Sequence, residues 1–580
     1  MARTVGIGHQ DFETVITKDL FYIDKTGFIR EWWENEDSVT LIARPRRFGK
    51  TLNMSMVEKF FSIDCAGRGE LFEGLSIWQE ESYRLIQGTY PVISLSFAKV
   101  KAGTFSDTRR QICQIITELY NKNDFLLESG CLNGKEKDDF RRISAEMENY
   151  LAAGSLNALS GYLSRYYGKK VIILLDEYDT PLQEAYVHGY WGEIVEFIRN
   201  LFNATFKTNP YLDRAIMTGI TRVSKESIFS DLNNLTVVTS TSEQYADSFG
   251  FTEKEVFTAL AEYGMSERQD EVKKWYDGFT FGEKRDIYNP WSILNYLKTG
   301  KFGTYWANTS ANSLAGKLIR EGSRQVKQDF ESLMQGETIR MEIDEQIVYD
   351  QMNRKKNAIW SLLLASGYLK VEDTEFSVET GRNYYTLALT NREVRLMFEG
   401  MVRDWFAEDD SSYNDFIRAL LLDDVKAMNV YMNRVALQSF SYFDTGNRPS
   451  GEEPERFYHG FALGLMVELA DRYVLTSNRE SGFGRYDVML EPRQRKDGGL
   501  MGDTVLNNCG KDAIIIEFKV QDSEEKTLAD TVAAALEQID RMQYAASLEA
   551  RGIPAERIRK YGFAFRGKEV LIGREEREPG

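Results

Sequence analysis

A chain of 580 residues with 42% hydrophobic and 28% charged residues has the make-up of globular protein and is too long for a single core, so about three domains are expected. No apolar run nears the ~20 residues of a membrane span, and the first residues, MARTVGIGHQDFE, lack a secretory leader's apolar core, so a cytoplasmic protein without a membrane partner is expected. The net charge of −17 excludes a general nucleic-acid coat protein, which needs a surplus of Lys and Arg to meet phosphates, but leaves room for local basic stretches.

In chain order, short apolar runs at 39–43, 92–97, 171–175, 215–218 and 235–239 predict strands of a parallel sheet covered on both faces. Helical patterns intervene at 51–61 and 191–206, and the polar, mostly helical stretch 99–167 reads as an insertion between two strands. This is the rhythm of an α/β domain, assigned to residues 1–260. Residues 261–405 turn mainly helical; 358–369 predict an amphipathic helix, followed by a hairpin of 368–371 with 384–389, a winged-helix-like pattern in a lid or linker domain. Residues 406–580 begin with helices at 414–421, 425–436 and 455–473, then strands at 486–490 and 513–520, a helix near 527–546 and a last strand near 562–565. The stretch 551–574 holds a local basic excess (Arg557, Arg559, Lys560, Arg566, Lys568), read either as a phosphate-facing patch or as a solvated face.

The segment Arg44-Pro45-Arg46-Arg47-Phe48-Gly49-Lys50-Thr51 follows an apolar strand and precedes a helix. Backbone N–H groups of such a loop and a helix N-terminus cradle phosphates. Lys50 would reach the β- and γ-phosphates, and the Thr51 hydroxyl would join the Mg²⁺ shell. Arg44 stands where GxxxxGK[ST] has its first glycine. Residues 171–177, VIILLDE, are a buried strand ending in two acids, so Asp176 would hold Mg²⁺ and Glu177 would polarise water. At the end of the next strand, Thr218 or Thr221 is the candidate γ-phosphate sensor and Arg222 the candidate arginine finger.

The ordered set FYIDKTGFIREWW, RPRRFGKT, VIILLDEYDTP, GITRVSKESIFSDLNNL and WYDGFTFG…YNPWSILNYL, over about residues 3–300, resembles the AAA-ATPase-like family widespread in bacteria. Its loop is similar to the G-P-R-R-x-G-K-[ST] loop of archaeal-type and STAND ATPases. The resemblance implies a P-loop ATPase core of the ASCE kind, with ATP as ligand and an arginine in place of the first glycine as the family's habit. AAA-like proteins often assemble, so a homo-oligomer is a further implied partner.

The strand at 513–520 carries Glu517 and Lys519, two apart and therefore on one face, and the preceding strand carries Asp487. Paired with that strand, Asp487 and Glu517 lie side by side, an arrangement retained most readily when a cation bridges them. The four cysteines (Cys65, Cys113, Cys131, Cys509) form no CxxC pair and the three histidines (His9, His188, His459) no local pair, so a metal would sit on carboxylates, favouring Mg²⁺ or Mn²⁺. Lys519 would orient or deprotonate a water for attack on a phosphodiester. An ordinary solvated hairpin with a cross-strand Lys/Glu pair is the plain alternative. Glu468 falls on the core-facing side of its helix with Phe461 and Leu465; its plain partner is Arg472 at i+4.

FYHGFALGLMVEL, SNRESGFGRYDVML, IIIEFKV, ALEQIDRMQY and GFAFRGKEV, over about residues 410–570, resemble the PD-(D/E)xK nuclease superfamily in the branch fused to AAA-like ATPases. The resemblance implies a restriction-endonuclease-like α/β domain with Asp487, Glu517 and Lys519 as the catalytic set, Glu468 and Gln538 in support, and a DNA or RNA substrate. Two departures stand out: Gly484-Arg485-Tyr486 replaces a proline before the aspartate, and Met542 occupies the tyrosine position of a Q-x-x-x-Y branch, with Tyr544 nearby. The combined expectation is an ATP-binding, hydrolysing protein whose nucleotide state controls a Mg²⁺-dependent nuclease. One rival is a STAND-type nucleotide-switched scaffold whose nuclease fold does not cut; another is a DNA-translocating motor.

Overall fold

The computed structural model describes residues 2–207, 209–221, 228–229, 232–307, 313–343, 357–405, 410–443, 453–470, 472–481, 484–493, 512–521, 525–566 and 569–575. The chain divides into two compact units: Met1–Ala311 with Thr338–Arg395, and Asn312–Glu337 with Leu396–Gly580.

The first unit is built on β1 (Val39–Ala43), β2 (Val92–Ser96), β3 (Val171–Asp176), β4 (Leu212–Gly219) and β5 (Leu235–Val238), all parallel, in the order β2-β3-β4-β1-β5. Every residue of β1 and β3 is buried, as required of central strands with helices on both faces. The expected insertion between β2 and β3 consists of helices Phe105–Lys122, Gly134–Arg142 and Asn149–Tyr167 with a 3₁₀ turn at Asp124–Leu127. Thr104 caps the first through the N–H of Asp107, and Gly168, at φ +66°, ends the third. The helix expected over 191–206 is α-helical only to Phe202 and finishes as a π turn at Asn203–Lys207.

A small sheet follows from β6 (Phe251–Thr252), β7 (Phe279–Phe281) and β8 (Lys284–Tyr288), in the order β6-β8-β7. A third sheet joins β9 (Ile339–Glu342), β10 (Leu369–Ser377) and β11 (Arg382–Leu389) in the antiparallel order β10-β11-β9. The helix expected over 358–369 ends at Ala365 and is buried from Ala358 to Leu364 rather than amphipathic; it leads into the β10–β11 hairpin. The hairpin is longer than 368–371 with 384–389, because exposed polar residues extend it beyond the apolar stretch that predicted it.

The second unit contains a five-stranded mixed sheet of β12 (Tyr473–Ser481), β13 (Gly484–Pro492), β14 (Ala513–Val520), β15 (Ile558–Arg566) and β16 (Glu569–Arg574), in sequence order. All pairs are antiparallel except β14 with β15, which are joined across the helix Leu528–Arg541. Two expectations are corrected here. The helix expected to reach residue 473 ends at Leu469, and Tyr473 opens β12, whose buried Tyr473, Leu475 and Ser477 alternate with less buried neighbours. A final strand, β16, follows β15. Its outer edge is satisfied by side chains: Asn429 and Asn433 of the helix Val425–Phe443 bond both the N–H and the C=O of Ile572 and Val570, at 2.7–2.9 Å.

Candidate nucleotide and nuclease sites

The loop after β1 turns on two left-handed residues, Arg47 (φ +65°) and Gly49 (φ +82°), before the helix Lys50–Phe61. Arg44 is wholly buried. Its guanidinium donates to the carbonyls of Ala43 (3.1 Å), Thr239 (2.5 Å) and Gln244 (3.2 Å) and lies 4.4 Å from the Phe281 ring centre. Burial pulls its pKa down to about 9, opposed by Glu31. Arg44 thus ties the loop to the end of β5, a structural task for which a first glycine has no side chain.

Lys50 is buried and donates to the carbonyls of Arg44 and Pro45, both at 3.0 Å. Thr51 Oγ1 donates to one oxygen of Asp176 at 2.8 Å, and the Thr218 hydroxyl donates to the other. Burial raises the Asp176 pKa against the pull of these hydroxyls, and the neighbouring Glu177 raises it further. Glu177, left-handed at φ +55°, donates its N–H to Thr218 Oγ1 at 3.3 Å and accepts from Thr180 Oγ1 at 3.2 Å. Lys50, Thr51, Asp176, Glu177 and Thr218 therefore gather at the carboxyl ends of β1, β3 and β4.

The remaining loop residues divide. Arg46 donates to Gln183 Oε1 at 3.3 Å. Arg47 is exposed, with its guanidinium 4.3 Å from the Trp291 ring centre. Phe48 is a wedge: its buried ring meets Phe279 and Phe281 edge-on, with centroids 4.7 and 5.5 Å away. Arg222 lies outside the described residues. Sequence reasoning missed Asp179, wholly buried two residues beyond Glu177; the second aspartate of DEYDTP, just before a helix with proline in its first turn, was the available signal.

In the second unit Val488 pairs with Ile516 in antiparallel register, which sets Asp487 opposite Glu517. Asp487 Oδ2 accepts the N–H of Phe518 at 2.8 Å. Glu517 is 3% exposed, and burial together with the neighbouring Asp487 charge pushes its pKa up to about 9; Lys519 and Gln538 act the other way. Gln538 Nε2 donates to Glu517 Oε1 and, at 3.1 Å, to the Tyr544 hydroxyl. Left-handed Gln543 (φ +53°) follows the helix, and Tyr544 beyond it supplies the hydroxyl that the sequence pattern placed at Met542. The helix lies close because Glu517's partner on β15 is Gly562, where a Cβ would stand 2.8 Å from the Val532 carbonyl.

Among the described residues Glu517 Oε2 is buried with no hydrogen-bond partner. A buried carboxylate oxygen without a donor, beside a second carboxylate and a lysine, fits a divalent cation. Glu468 is not drawn into this pair: it binds Arg403 Nε at 2.9 Å, rather than the expected Arg472. Among the described residues no three His, Cys, Asp or Glu side chains are grouped to hold a metal. The basic stretch is matched by acids, mostly from other elements: Arg557 and Arg559 pair with Asp512, Lys560 with Asp540 and Glu575, Arg566 with Glu569, and Arg574 with Asp423; Lys568 lies outside the described residues.

The first unit thus carries a parallel α/β sheet with a P-loop-like turn, and the second a nuclease-like mixed sheet. Residues 6–229 match the family described as predicted AAA-ATPase, and residues 453–575 match the PD-(D/E)XK nuclease superfamily. The chain therefore carries an AAA-ATPase-like domain and a PD-(D/E)XK nuclease superfamily domain. Over 322 residues, 55% of this chain, it is 28% identical to an uncharacterized protein in the vnfD 5′ region of Azotobacter chroococcum mcd 1, and the match spans 56% of that relative. Among the described residues no helix is long and apolar enough to cross a membrane.

Proposed function

We propose that the N-terminal domain binds and hydrolyses ATP, and that its nucleotide state controls a Mg²⁺- or Mn²⁺-dependent phosphodiesterase that cuts nucleic acid, in the cytoplasm. The observation that carries the nuclease reading is the buried Oε2 of Glu517, without a hydrogen-bond partner among the described residues, opposite Asp487 and two residues before Lys519. Asp487 and Glu517 would hold the cation, which supplies charge stabilisation at the scissile phosphate. Lys519 would orient the attacking water and take its proton, while Gln538, backed by Tyr544, keeps Glu517 pointed at the site. In the ATPase, Lys50 would meet the β- and γ-phosphates, Thr51 and Asp176 the Mg²⁺ shell, and Glu177 the attacking water. Thr218 would sense the γ-phosphate through Asp176, with Arg222 as finger. Coupling of the two activities rests on their fusion in one chain.

A second reading, a nucleotide-switched scaffold whose nuclease fold binds without cutting, is favoured by one observation: Glu468 is engaged by Arg403 and leaves two acids at the site. Incubation of the full chain with DNA and RNA substrates, Mg²⁺ or Mn²⁺, and ATP decides between them. Cleavage lost in Glu517→Ala and Lys519→Ala supports the nuclease; no cleavage of any substrate supports the scaffold. A translocating motor would instead show ATP hydrolysis that rises with duplex length and disappears in Lys50→Ala and Glu177→Gln.

A further inference from the structure

The end of β4 is clamped by the turn that follows β3. Tyr178 donates its N–H to the Thr218 carbonyl at 2.9 Å and its hydroxyl to the Thr221 carbonyl at 2.7 Å. Asp179 Oδ2 accepts three donors from the same stretch, the N–H groups of Ile220 and Thr221 and the Thr221 hydroxyl, all at 3.0 Å. A fourth donor to that oxygen comes from elsewhere: Gln183 Nε2, at 3.1 Å. The other end of the Gln183 amide accepts from Arg46 Nη2 of the nucleotide loop at 3.3 Å. Asp179 Oδ1 is buried with no partner among the described residues, and a Cβ at Gly219 would stand 2.8 Å from it. A fully buried carboxylate is costly unless its donors are kept. Its hold on residues 220–221 is therefore firmest while all four donors are in place.

We propose that Gln183 and Asp179 form a relay joining Arg46 of the nucleotide loop to the backbone at Ile220–Thr221, so that phosphate binding at the loop loosens the segment that leads into Arg222. This rests on the reading of the loop as a nucleotide site. A bound polyphosphate competes for the Arg46 guanidinium, because a charge-assisted bond to phosphate is stronger than one to an amide oxygen. Gln183, released from Arg46, turns away from Asp179, and the remaining three donors on Oδ2 hold the segment less firmly. Gln183 and Asp179 are positioning residues here; neither touches the nucleotide.

Amide hydrogen exchange at Ile220 and Thr221 in the full chain tests this, with Mg²⁺–ATP binding measured separately on the same samples. In wild type, saturating ATP is expected to speed exchange about five-fold or more. Gln183→Ala, which removes the relay, is expected to exchange fast without nucleotide and to change less than about two-fold on adding it, while binding ATP within about three-fold of wild type. Gln183→Glu keeps an acceptor for Arg46 but has no donor for Asp179, and is expected to behave as Gln183→Ala does. A nucleotide response in either variant equal to that of wild type overturns the relay, as does an absent or opposite response in wild type saturated with ATP. Wild type that binds no ATP fails the nucleotide-site reading, a result the binding measurement separates from failure of the relay.

Discussion

Gln538 donates to one oxygen of Glu517 and leaves the other buried and without a partner among the described residues. The amide thus fixes the carboxyl group's direction while leaving one oxygen open. Glu517→Gln is expected to lower cleavage at least ~100-fold while raising metal-free stability by about 1 kcal/mol near neutral pH, because the folded chain holds Glu517 protonated beside Asp487 whereas the unfolded chain releases that proton, a cost an amide does not carry. Cleavage rates and chemical denaturation in chelator measure the two effects.

Divalent cations should stabilise the nuclease domain through the same pair. Mn²⁺ is expected to raise the unfolding midpoint of the wild-type chain, and chelation to reverse the gain. An Asp487→Ala, Glu517→Ala double variant should show no Mn²⁺-dependent shift in the transition of this domain, followed by calorimetry.

Helix position matters because Gly562 lets the helix Leu528–Arg541 approach β15. A methyl at that position would meet the Val532 carbonyl at 2.8 Å and push the helix, with Gln538, away from Glu517. Gly562→Ala is expected to cost about 1–3 kcal/mol of stability and to reduce cleavage, with ATP binding unchanged. Denaturation and nuclease assays on the same preparation check the link between them.

Asp277, at the start of the β7–β8 region, is pushed up to about 7 by burial and by its hydrogen-bonded neighbour Asp286, with Lys273 3.8 Å away acting in the opposite direction. Its ordinary value is 3.8, so between these values the folded chain holds a proton that the unfolded chain has released. That contribution to stability is complete below the unfolded value and is lost as pH rises through the folded one. Wild type should therefore lose stability between about pH 4 and pH 7 through this group, and Asp277→Asn should be more stable than wild type by about 1 kcal/mol at pH 8. Denaturation midpoints across pH give the comparison.

Much of this architecture was legible in the sequence because its signals are local. β1 and β14 occupy the stretches their apolar runs predicted, and a Lys-Thr loop between strand and helix needs no tertiary information to be found. β12 escaped because its alternation is carried by Tyr473, Leu475 and Ser477, and a buried serine reads as polar until Glu331 is seen to bond it. Arg44 looked like a defect in a phosphate loop; its partners, Thr239 and Gln244, are almost two hundred residues away. A separation of 65 residues hid the choice of Arg403 over Arg472 by Glu468, and the return of Tyr544 onto Gln538 depends on one left-handed residue. Local chemistry was readable, and long-range partners were not.

Control of a metal-dependent nuclease by nucleotide is tested most directly by cleavage of a DNA and RNA panel with and without ATP, using wild type, Asp487→Ala and Lys50→Ala. The account predicts that wild type cuts with Mg²⁺ or Mn²⁺ at a rate that changes with ATP, that Asp487→Ala does not cut, and that Lys50→Ala cuts at a rate ATP does not alter. Cleavage that survives in Asp487→Ala, or an ATP response that survives in Lys50→Ala, would contradict it.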